Sequence, residues 1–144
     1  MKRMLHTIGL VLGVAGTVFS VLPGTAGASE GLSIAIGLKA QFLNGALVGI
    51  PVVYSCAEGS MFPSLSVSLF QASGKEVVNG FGFEDSLECD GEPKQIMVFV
   101  VPGSGAPFRR SKDVVVEVNV SACDELVSTC VDASDGPRVL SLKR

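Results

Sequence analysis

The chain has 144 residues, 11 Lys and Arg against 14 Asp and Glu, a net charge of −3 and 47% apolar residues. That length suits one domain, and that apolar fraction excludes general disorder. The acidic balance argues against the basic surface that a nucleic-acid binder needs, so no nucleic-acid partner is expected.

The chain begins with Lys2, Arg3 and His6, followed by an apolar run over residues 8–22. Pro23-Gly24 breaks the run, and Ala26-Gly27-Ala28 places small residues at both recognition positions of a signal-peptidase site. This pattern predicts a signal peptide over residues 1–28, cut after Ala28, and an exported domain over residues 29–144. The run has 15 residues, three of them Gly, whereas a spanning helix needs roughly 20 apolar residues. No membrane span is therefore expected after leader removal, and the expected location is extracellular. Removing 28 residues leaves 116, with 9 basic and 14 acidic side chains and a net charge of −5. The leader also takes His6, the one histidine. A mature chain without histidine cannot build Ser-His, Cys-His or His-metal chemistry. The expectation is a protein that is not an enzyme and carries no cofactor or metal.

From Leu32 the residues alternate. Ile34, Ile36, Leu38, Ala40 and Phe42 share one face and predict a half-buried strand. Asn44-Gly45 is a hairpin signal. Val48, Ile50, Val52, Tyr54 and Cys56 then align, with Pro51 on the other face suggesting an edge or a bulge. Leu65, Val67 and Leu69 point inward in a third strand, with Ser66 and Ser68 outward. After the Ser73-Gly74-Lys75 turn, Val77, Phe81 and Phe83 share a face opposite Gly80 and Gly82. Residues 84–93 form an acidic loop. Residues 95–101 are apolar on both faces, as in a central strand, and residues 102–107 are a Gly/Pro loop. Val114, Val116, Val118 and Val120 mark a sixth strand, and a short seventh is expected over residues 138–143. Seven short strands and no helix predict an all-β fold: an immunoglobulin-like antiparallel sandwich, though without its usual core Trp.

Four cysteines in an exported chain read as two disulfides. Three connectivities are possible. The sequential one, Cys56–Cys89 and Cys123–Cys130, closes the shortest loops and is favoured over a four-thiolate zinc site, because no C-x₂-C pair is present.

The segment Val52-Val53-Tyr54-Ser55-Cys56, the run from Ser64 to Gln71, Cys89-Asp90-Gly91, Pro107-Phe108-Arg109 and Cys123 together resemble small secreted actinobacterial proteins of unknown function. The resemblance spans about residues 46–130. It implies export and an Ig-type sandwich with paired cysteines, and it carries no catalytic residues. The two disulfides are also similar to those of enediyne-binding chromoprotein apoproteins, which implies a second reading as a carrier of a small apolar ligand, held between Phe81, Phe83 and neighbouring loops.

Glu84, Asp85, Glu88, Asp90 and Glu92 cluster within nine residues. Paired carboxylates suit glycoside hydrolysis or calcium, but no EF-hand spacing is present and a solvated loop is the plainer reading. Phe108, Arg109 and Arg110 follow a Gly/Pro loop, and an aromatic beside Arg is a common interface anchor, although the plainer reading has Phe108 plugging the sandwich edge while the arginines face water or the acidic loop. These three are the candidate contacts of a secreted, non-enzymatic binding or structural module whose partner is a protein or the cell surface.

Overall fold

The computed structural model describes residues 27–29, 31–103, 106–110, 112–124 and 128–143. The expected leader lies outside the described residues except for Gly27 and Ala28. Those two belong to a short first strand, β1 (Gly27–Ser29), which crosses the expected cleavage point.

Eight further strands follow: β2 (Leu32–Ile36), β3 (Ala40–Asn44), β4 (Leu47–Cys56), β5 (Ser60–Ser73), β6 (Glu76–Glu84), β7 (Lys94–Pro102), β8 (Asp113–Asp124) and β9 (Thr129–Lys143). No helix occurs among the described residues, so the all-β expectation holds. The immunoglobulin-like sandwich does not. The sheet closes on itself into a seven-strand barrel in the order β3-β4-β7-β6-β5-β8-β9, with β9 returning to β3.

Two short joins make the closure. At one, β7 leaves β4 and takes β6, through Phe81 opposite Val101 and Gly80 opposite Pro102. At the other, the end of β9 runs parallel to β3, Ala40 beside Leu142 and Gln41 beside Lys143. A closed sheet leaves fewer unpaired strand edges than an open sandwich. Glycine permits the first join. A Cβ on Gly82 would lie 2.7 Å from the Phe99 carbonyl oxygen, and one on Gly80 would overlap the Phe108 ring.

The first expected strand divides in two. Leu38 is 77% exposed, and the chain leaves the sheet at residues 37–39 before β3 resumes along the same edge of β4. Pro51 explains where. Its carbonyl accepts the Gly37 N–H at 2.8 Å, so its ring nitrogen, which has no hydrogen, faces the same gap. Pro51 thus sits in a strand paired on both sides, with the break displaced onto the neighbour. The last expected strand is longer than six residues. It starts at Thr129 and forms a long hairpin with β8, bulged where Gly136 and Pro137 stand against Glu117.

The interior is filled by the alternating residues. Leu65, Val67 and Leu69 of β5, Val116 and Val118 of β8, and Val48, Ile50 and Val52 of β4 are all fully buried. Both disulfides form as expected, Cys56–Cys89 and Cys123–Cys130. The second joins directly opposed residues of the β8–β9 hairpin.

Candidate functional site

The 102–112 loop does not present the anchor that its sequence suggests. Phe108 is 2% exposed and belongs to the core, where its ring covers Gly80. The loop is held there by backbone. The Phe108 N–H donates to the Gly45 carbonyl at 2.8 Å. The fully buried Gln71 side chain donates through Nε2 to the Arg109 carbonyl at 2.9 Å, and its Oε1 accepts the Arg109 N–H at 2.6 Å. This reciprocal pair satisfies a buried amide on both of its functions. Arg109 and Arg110 keep exposed side chains, but the aromatic member of the expected contact is unavailable to a partner.

The acidic loop is likewise occupied with its own structure. Glu84 Oε1 accepts the Ser86 N–H at 3.0 Å, and Asp90 Oδ1 accepts the Glu92 N–H at 3.0 Å around Gly91. Lys94 Nζ lies 2.7 Å from Asp90 and 3.4 Å from Glu88, so the cation facing these two carboxylates is the first side chain of β7, directly after the loop. Its ammonium holds the Asp90 carboxyl below the usual carboxylate range, and Asp90 in return raises Lys94. Tyr54, the one tyrosine, accepts the Glu88 N–H at 3.1 Å through its hydroxyl, and Leu87 is buried. With Cys56–Cys89 these contacts pin the loop against β4. No group of three or more metal-ligating side chains occurs among the described residues.

Two shallow depressions of about 310 and 290 Å³ flank the Cys123–Cys130 bridge. Asp124 is the one carboxylate among the described residues that line them, so neither brings an acid–base pair together.

The feature that stands out lies on the outer face of β5, β6 and β7. In β6 the inward positions are Val78, Gly80 and Gly82, and the outward ones are Val77, Asn79, Phe81 and Phe83. Val77, Phe81 and Phe83 are 64, 52 and 56% exposed. They therefore stand on the surface and do not enclose a cleft. Register sets their neighbours. Phe81 lies between Ser68 of β5 and Val101 of β7, and Phe83 lies beside Ser66. Phe70 continues the face on β5, while Val101 and Phe99 continue it on β7, at 40, 52 and 54% exposure. The remaining outward residues of this part of β5–β7, Ser64, Ala72, Asn79, Gln95 and Met97, carry no charge. Glu117 of β8, beside Ser68, marks the first charged boundary.

Comparison with known protein families, with curated proteins and with solved structures gave no match. Sequence pattern had shown that Phe81 and Phe83 oppose Gly80 and Gly82, but not which row faces out. The apolar outer row of β7, read as a sign of burial on both sides, belongs to the same exposed face. Large residues would ordinarily be assigned inward. They face out here because Phe108 and Val100, distant in sequence, fill the space over the glycines.

Proposed function

We propose that this chain is a secreted, non-enzymatic binding module that meets its partner through the outer face of β5–β7. The observation that carries the reading is an uncharged aromatic row on the surface of a barrel whose interior is already packed. The largest contiguous apolar patch on a monomeric soluble protein is often a functional one. Depletion of charge and enrichment in aromatic and Met side chains are also the signature of an interface centre. Rigid strands present these rings with little ordering cost, since ladder pairing holds the backbone of Phe70 and Phe81 on both sides and that of Phe83 and Phe99 on one. The two disulfides support an extracellular setting, in keeping with the leader-like residues 1–28.

The test uses immobilised protein and a Phe81→Ser, Phe99→Ser double variant. A macromolecule of the native surroundings should be retained by the wild type and lost by the variant, with the melting temperature little changed because both rings are half exposed. Equal retention by both would remove the face from the mechanism.

A further inference from the structure

We infer that the outer face of β5–β7 is an interface between two copies of this chain related by a two-fold axis. This rests on the reading of that face as a contact surface and names its partner. Three properties of the face point to self-pairing.

The first is area. At about 200 Å² for each phenylalanine, the exposed fractions of Phe70, Phe81, Phe83 and Phe99 offer about 400 Å². Val77 and Val101 bring the apolar area to about 550 Å², within the range of the largest patches on single proteins. Pairing two such faces, with the intervening serines, removes about 1,200 Å² in total, which reaches the lower edge of stable interfaces.

The second is charge. Each copy is acidic, with a net charge of −3 for the whole chain, so two copies repel through most orientations. On the β5–β7 face the ridge and the row of serines beside it hold no carboxylate themselves, and Glu117, beside Ser68, stands at the outer edge of that row.

The third is relief. Ser66 and Ser68 form a row of small side chains directly beside the large Phe83 and Phe81. The face is therefore a ridge with a trough next to it on the same surface. A two-fold axis places the ridge of one copy in the trough of the other, and the reverse contact follows by symmetry. Two sheets meeting this way interdigitate their side chains as in a packed sandwich.

The experiment is sedimentation of the secreted protein over a wide concentration range. A reversible monomer–dimer equilibrium is expected. Ser66→Arg fills the trough and Phe83→Glu removes the ridge. Each alone should weaken dimerisation at least about tenfold, the effect of disrupting an interface anchor. Mixed in equal amounts, the two variants should form a heterodimer, since the introduced charges then oppose each other across one half of the interface while the other half is native. Circular dichroism and melting temperature at the lowest concentration control for folding. A wild type that stays monomeric at all concentrations would overturn the inference, as would a dimer indifferent to both substitutions. Failure to recover on mixing would overturn the two-fold pairing. The retention test separates the readings. A monomeric wild type whose Phe81→Ser, Phe99→Ser variant still loses a partner keeps the face and loses the second copy. A monomer with unaltered retention loses both.

Discussion

Phe108 shows how a single side chain changes meaning when its surroundings are known. In sequence it follows Gly and Pro and precedes two arginines, which is the pattern of an exposed anchor. In the fold it fills the space that Gly80 leaves open. Phe108→Ala should therefore destabilise the domain by about 3–5 kcal/mol, the cost of lost burial plus the cavity left behind. Arg109→Ala should cost little, because Gln71 holds the backbone of Arg109 and not its guanidinium. Chemical denaturation of both variants checks the contrast. Asp90 and Lys94 make a second residue-level prediction, with two signs. The Asp90 carboxyl is lowered in the fold, first by its hydrogen bond to Lys94 and then by the Glu92 N–H. Its contribution is present above its unfolded value and is lost as pH falls through the folded one. Lys94 is raised, first by Asp90, so its contribution is present below its unfolded value and is lost as pH rises through the folded one. Lys94→Gln should flatten both limbs of melting temperature against pH at low salt. Because the pair is exposed, wild type and variant should converge in high salt.

At the scale of elements, the two disulfides tie different kinds of structure. Cys123–Cys130 closes a hairpin that β8 and β9 already pair on either side of it. Cys56–Cys89 holds the 84–93 loop, whose other anchors are the Tyr54 hydroxyl, buried Leu87 and the Gly91 N–H on the Cys56 carbonyl. Their sequence separations are 33 for Cys56–Cys89 and 7 for Cys123–Cys130. On chain entropy the longer loop contributes about 4 kcal/mol and the shorter about 2.5. Replacing Cys56 and Cys89 together by Ala should lower stability more than replacing Cys123 and Cys130, as read from denaturant midpoints. The opposite order would show that the hairpin bridge does more than constrain the unfolded chain. Most strands were legible because alternation is a local property. Val114 to Val120 and Leu65 to Leu69 carry their inward faces in plain view. The break between β2 and β3 was not, because its cause is Pro51 on the neighbouring strand.

For the whole molecule, the sequence by itself determined the all-β class, the parity of most strands, the pairing of cysteines favoured by loop length, and the absence of histidine from residues 29–144. These follow from period, composition and spacing along one chain. Closure was decided by tertiary structure. Each join of the barrel consists of two residue pairs, Phe81–Val101 with Gly80–Pro102 and Ala40–Leu142 with Gln41–Lys143. Two pairs leave no periodic signal, and the partners stand 20 or more positions apart. The same holds for the candidate site. Alternation separates Phe81 and Phe83 from Gly80 and Gly82, but both faces of such a strand satisfy the pattern equally. Only when Val100 and Phe108 arrive from elsewhere to occupy the inner side are the phenylalanines left on the outside. The physical reason is packing density: an interior holds a fixed volume of side chain, and which residues fill it depends on every strand that reaches it.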